Sequence, residues 1–168
     1  LSSIYQPPQV TASTRLEGKN RVLRLHIDDL AWQKGEWPPL IPDHGKLMHM
    51  FIIREPQLDN FAHIHPVSVD PDTFDVVLPP LEAGQYRVYA DVTHESGFAQ
   101  TLSSVVEIPE ASAVPESSMP SSTLGGQSLT PDPDDSWAIT PPLSAIQKDS
   151  STAENVFTFG DGSTMTWT

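Results

Sequence analysis

The chain has 168 residues, 17 of them Pro, no Cys, and a formal net charge of −13. That length holds one ordinary domain with some chain to spare. The acidic balance argues against a nucleic-acid partner, whose phosphates need a basic surface, and the missing thiols exclude disulfides, thiolate zinc sites, blue-copper centres and Cys nucleophiles.

The chain starts LSSIYQPPQV without Met, as a mature or excised piece would, and export is expected from that start. No stretch reaches the roughly 20 apolar residues that span a membrane, so no membrane-spanning segment is expected. VTAST, from Val10, is weakly extended. In NRVLRLHIDDL, Leu23, Leu25 and Ile27 alternate with Arg24 and His26, which predicts a half-buried strand with His26 on its wet face. KLMHMFIIRE reads as a central strand apolar on both faces, with His49, Phe51 and Ile53 on one and Met48, Met50 and Ile52 on the other. FAHIHPV, TFDVVLP, QYRVYADV and GFAQTLSSVVEI follow as further strands, with turn residues at Asp59-Asn60, Pro79-Pro80, Ala83-Gly84 and Ser96-Gly97.

No segment shows a helical period, and short strands punctuated by turns predict an all-β fold, an antiparallel β-sandwich. The spacing of Leu81, Gly84, Tyr86 and Val88 matches the tyrosine corner of immunoglobulin-like sandwiches, where the Tyr hydroxyl bonds back to the backbone just upstream. The expected organisation is an immunoglobulin-like sandwich over residues 1–109, with residues 85–93 as its sixth strand. A long Pro/Ser-rich segment over 110–151 reads as a linker. Residues 152–168 read as a hairpin around Asp161-Gly162, which either packs back on the sandwich or opens an incomplete second domain.

Four of the six histidines, His44, His49, His63 and His65, fall in DHGKLMHMFIIREPQLDNFAHIHP, beside Met48 and Met50. Imidazole and thioether are the ligands that copper and zinc favour. If the strand of His49 and the strand of His63 and His65 form a hairpin, opposed residue numbers sum to about 115, placing His65 opposite His49–Met50 and His63 opposite Phe51–Ile52. His63 and His65 then share a face. The strand through Tyr86 runs beside and opposite that of His49, so its end, at His94, is expected near the start of the latter. His44, His49, His65 and His94 are therefore expected to gather at one end of the sandwich, with His63 one pair further in and Met48 or Met50 as an optional ligand. Asp43 and Glu95 flank the group as oxygen ligands or as carboxylates that orient the imidazoles.

The run GKLMHMFIIREPQLDNFAHIHP, followed by LEAGQYRVYADVTHESG, resembles a family of uncharacterised bacterial extracytoplasmic β-sandwich proteins. Their pattern is Met-His, an apolar strand, Phe-x-His-x-His-Pro, then Pro-Gly-x-Tyr-x-x-x-Ala-Asp. The matching positions are Met48, His49, Phe61, His63, His65, Pro66, Gly84, Tyr86, Ala90 and Asp91, with Ala83 in place of the usual Pro, and the likeness covers roughly residues 15 to 108. More distantly the chain is similar to periplasmic copper-resistance chaperones. The resemblance implies an extracytoplasmic, periplasmic or membrane-anchored, protein associated with copper and heavy-metal handling, in which a second related domain is common.

No nucleophile motif, phosphate loop or paired carboxylates point to an enzyme. The expectation is a secreted or periplasmic metal-binding protein that captures or relays copper, with zinc as the alternative. It uses His49, His65, His63, His94 and His44, with Met48 and Met50 as optional ligands. Its partners are the metal ion and another envelope protein or a second domain. The competing expectation is a structural or interaction module of the cell envelope with no metal, and a weaker one is a small-ligand pocket lined by Trp32 or Trp37.

Overall fold

A computed structural model describes residues 6–111 and 129–140, and the backbone of residues 156–158 and 164–166. Alternating sequence becomes alternating burial. In β2 (Asn20–Ile27), Leu23, Leu25 and Ile27 are fully buried while Arg24 and His26 face outward. β1 (Val10–Glu17) pairs with β2, β2 with β7 (Thr73–Val77), and β7 with β6 (Val67–Asp70), making a four-stranded antiparallel sheet. The second sheet runs β10 (Ser136–Ile139), β5 (Asn60–Ile64), β4 (His49–Arg54) and β8 (Gly84–His94). On the other edge of β8 lies β9 (Ala99–Ile108), and the short β3 (Leu40–Ile41) pairs with the end of β8 at His94 and Thr93.

The two antiparallel sheets pack face to face as an all-β sandwich. Leu23, Leu25, Ile27 and Phe74 from one meet Met50, Ile52, Ile64, Val88 and Leu102 from the other. The Tyr86 hydroxyl donates to the Glu82 carbonyl at 2.8 Å, the backward bond that the Leu81–Val88 spacing predicts. Burial pushes its pKa up to about 12, so the hydroxyl keeps the proton that it donates.

Four elements escape the sequence reading, the two-residue β3 among them. The helix α1 (Leu30–Gln33) is too short to show a period; the Asp29 carboxylate caps it by accepting from the Trp32 N–H at 2.8 Å. Strand β6 is exposed at every position and bulged, so it carries no alternation. Strand β10 lies inside the segment expected as linker, and its four pairs, from Ser136↔His63 to Ile139↔Asn60, extend the sheet past β5. The expected C-terminal hairpin is present as a pairing of β11 (Val156–Thr158) with β12 (Thr164–Thr166), in register Phe157↔Met165. What it packs against lies outside the described residues, as does the rest of the linker.

On the outer face of the first sheet, the Asp75 carboxylate is 2% exposed. It accepts from Arg24 Nε and Nη2, both at 2.8 Å, and from Arg15 Nη2 at 2.7 Å. Burial pushes its pKa up, but the Arg24 and Arg15 hydrogen bonds outweigh that and hold it below the ordinary range. A carboxyl whose folded pKa is depressed stabilises above its unfolded pKa of about 3.9, and that stability is lost as pH falls through the folded value. The Arg side chains are 32% and 43% exposed, so solvent screening keeps Asp75→Asn to a loss of about 1–2 kcal/mol at neutral pH. Urea denaturation should show that gap at pH 7 and a smaller one at pH 3; an equal gap at both would contradict the assignment.

Candidate metal centre

Strand β4 divides its side chains between two environments. Met50 and Ile52 point into the core at 0% exposure, whereas His49, Phe51 and Ile53 lie half-buried on the outer face of the sheet. The β4–β5 register, Met50↔Ile64 and Phe51↔His63, has number pairs that sum to 114, one below the expected value. Alternation then sets His65 opposite His49, and directly opposed residues share a face. His49, His63 and His65 therefore meet on the outer surface.

The hydrogen bonds fix which nitrogen each ring offers. His49 Nε2 lies 3.0 Å from the Asp43 carbonyl. A carbonyl only accepts, so Nε2 carries the ring proton and Nδ1 keeps its lone pair. That Nδ1 is 3.3 Å from His63 Nε2. His65 donates both its backbone N–H, at 2.9 Å, and Nδ1–H, at 3.0 Å, to Asp135 Oδ1, which leaves its Nε2 bare. The ring centroids are 5.1 Å (His49–His65), 4.6 Å (His63–His65) and 5.5 Å (His49–His63) apart. Phe51 stacks on His63 at 4.5 Å and 5° and holds that ring flat.

One nitrogen from each imidazole lies within 4.8 Å of those of the other two, so the three could hold a metal ion. Metal–nitrogen distances of about 2.0–2.1 Å in a tetrahedral site imply a nitrogen–nitrogen edge of about 3.3–3.4 Å. The His49–His63 pair already stands at that spacing. With His49 Nδ1 accepting, His63 Nε2 carries the proton of this pair, and a metal would take that proton's place. Burial first, then the neighbouring His65 and His49, push the His63 pKa down, favouring the neutral ring that a metal requires.

Two further donor sets adjoin this one among the described residues: Asp43 with His44 and His49, and His65 with Asp132 and Asp135. His44 and Gly45 have φ of 50° and 83°, the paired positive values of a type I′ turn, closed by Asp43 and Lys46 bonding each other's backbone at 2.9 and 3.0 Å. The turn places the Asp43 carbonyl under His49. It leaves the His44 side chain 86% exposed, with Nδ1 2.9 Å from Asp43 Oδ1 and its ring 6.4 Å from that of His49.

Several expected members lie elsewhere. His94 is fully buried and faces the core, because Tyr86, Val88, Ala90, Val92 and His94 alternate inward along β8, whereas the residue opposite His49 is the outward Asp91. The end of β8 also meets β3, and not the turn that carries His44. His94 Nδ1 donates to the Pro38 carbonyl at 2.6 Å, its Nε2 accepts from the Gln100 amide at 2.6 Å, and its ring stacks on Trp37 at 5.3 Å. Trp32 and Trp37 thus pack against His94 and close that end of the core. Met48 and Met50, at 0% exposure, belong to the core and not to the histidine group. Glu95 is exposed and joins none of these donor sets. His63, expected further in, joins His49 and His65: the diagonal across two twisted strands is short enough for an imidazole to bridge. His26 is on the other sheet, with its Nδ1 3.0 Å from the Thr73 hydroxyl.

Asp132 and Asp135 come from the stretch expected to be linker. They flank a tight turn in which Asp132 Oδ1 accepts from the Asp134 N–H at 2.9 Å, and Asp135 Oδ2 from the Asp132 N–H at 3.1 Å. Lys46 pairs with Asp132, and with Asp134 at 3.4 Å, tying this turn to the one before β4. That ion pair holds the Asp132 carboxyl below its usual range.

The fold and this cluster define an all-β sandwich domain whose outer face carries three imidazoles able to hold a metal ion. Residues 9–110, more than half of the chain, match the family described as Domain of unknown function (DUF8832), and the chain belongs to that family. No curated protein and no solved structure matches it.

Proposed function

We propose that this protein binds a borderline divalent metal, copper(II) ahead of zinc(II), through His49, His63 and His65, and that it captures or relays the ion outside the cytoplasm. The convergence of three imidazole nitrogens, with the His49–His63 pair 3.3 Å apart, carries the reading. Imidazole sites rank copper(II) above zinc(II) on intrinsic affinity, and burial of both thioethers removes the argument for copper(I). Extracytoplasmic work is supported by the likeness of residues 15 to 108 to exported metal-associated proteins. The role is capture, not catalysis. We also propose that the sandwich is of the immunoglobulin-like kind; the strand orders β1-β2-β7-β6 and β5-β4-β8-β9 and the Tyr86–Glu82 bond support it.

A second reading is an interaction module without metal. It draws on Phe61 and Tyr89, 40% and 41% exposed beside Phe51 on the same outer face. Titration of copper(II) and zinc(II) into chelator-stripped protein separates the two. The metal reading expects one ion per chain with a Kd of micromolar or tighter, and copper displacing zinc. Binding no tighter than about millimolar would overturn it and leave the interaction module.

A further inference from the structure

The strap formed by residues 129–140 is held to the sandwich without burying a side chain in its core. All four positions of β10 are exposed, and no side chain of the strap belongs to the hydrophobic core of the described residues. What holds it is polar. Its ladder pairs with β5, from Ser136↔His63 to Ile139↔Asn60. The Thr140 N–H donates to the Asp59 carbonyl at 2.7 Å. Lys46 pairs with Asp132 and Asp134. The most enclosed tie is Asp135 to His65, whose side chains are 5% and 4% exposed, with one carboxylate oxygen accepting both the backbone N–H and Nδ1–H of the histidine.

That tie reaches one of the three imidazoles directly. An Nδ1–H held by a carboxylate fixes the tautomer, aims Nε2 and raises its basicity; coordination at Nε2 in turn makes Nδ1–H a stronger donor to the same carboxylate. We propose that Asp135 is a positioning residue for a metal held by His49, His63 and His65, and that metal occupancy tightens the docking of the 129–140 strap onto β5. The inference rests on the metal reading above. Its thermodynamic form is reciprocal: whatever factor strap docking contributes to metal affinity, the metal returns to strap docking. When the strap lifts, the edge of β5 loses its hydrogen-bonding partner, so an empty site and an open sheet edge go together.

The test uses the whole chain with zinc(II) or copper(II) as the only added ligand. It combines chelator-competition affinities with hydrogen exchange at the amides of residues 136–139. In the parent, metal should slow exchange at those amides. Asp135→Asn should weaken binding by about 10–100-fold, the usual worth of a carboxylate behind a ligating histidine, and should abolish the metal-dependent protection. Lys46→Ala touches no imidazole but loosens the strap, and should weaken binding several-fold. Two results overturn the proposal: metal bound by the parent with no change in exchange over 136–139, or Asp135→Asn binding within twofold of the parent even if its strap exchanges faster. The second would leave Asp135 a structural tie alone. A parent that binds neither metal overturns this proposal together with the metal reading, and the parent titration identifies that case.

Discussion

Either His49→Ala or His65→Ala is expected to weaken copper(II) and zinc(II) binding by at least about 100-fold. An outer carboxylate that only orients a ligating histidine is worth about 10–100-fold, and removing the ligand itself must cost more. His49 contributes Nδ1 because its Nε2 proton is engaged by the Asp43 carbonyl, and His65 contributes Nε2 because Nδ1–H is engaged by Asp135. Each ring is thus restrained from behind with one nitrogen forward. His44→Ala should change affinity only a few-fold, since that side chain is 86% exposed and its Nδ1 rests against Asp43. Competition against a chelator of known affinity, on chelator-stripped variants whose melting curves confirm folding, measures all three. A His49→Ala or His65→Ala protein binding within tenfold of the parent would dismiss the three-imidazole set.

The contrast between His49 and Met50 explains what sequence could reveal here. Period-two alternation separates the faces of β4, and the spacing of His63 and His65 puts them on one face of β5, so the heart of the cluster is legible in the sequence. Strands β2, β4, β7, β8 and β9 are legible because each buries one face or both, and burial leaves an apolar trace. His94 shows why position needs parity: it lies at the end of β8, and counting in twos from Tyr86 turns it inward.

Asp135 and Asp132 were not legible. They sit in a Pro- and Asp-rich stretch with no apolar periodicity, and β10 docks through backbone pairing and exposed side chains, which leave no such trace. The run Pro131-Asp132-Pro133-Asp134-Asp135 is a turn signal. A turn signal says that the chain bends there, and nothing about which strand edge it returns to. Contacts made by main-chain ladders over long sequence separations are the part of this site that composition hides.

Met50→Ala should lower folding stability by about 2–5 kcal/mol while leaving the metal affinity of the folded protein within twofold. Met50 is 0% exposed, its side chain packed among those of both sheets, and the cavity left by truncation would be lined by residues such as Ile52 and Ile64 that cannot collapse into it without moving a strand. For a domain of this size such a loss lowers the melting temperature by roughly 10–20 °C. His94→Ala belongs with it. Truncation would strand the Pro38 carbonyl without the ring N–H that it accepts and open the stack with Trp37, for a loss of about 2–4 kcal/mol, again without effect on metal. Thermal denaturation of the metal-free variants, followed by titration well below each midpoint, separates the two quantities. If Met50→Ala or His94→Ala instead lost metal binding while keeping parental stability, the sheet would carry its ligands on the inner face, and the outer-face centre at His49, His63 and His65 would be wrong. The same strand therefore supplies opposite controls one residue apart: His49 answers to metal and Met50 to heat.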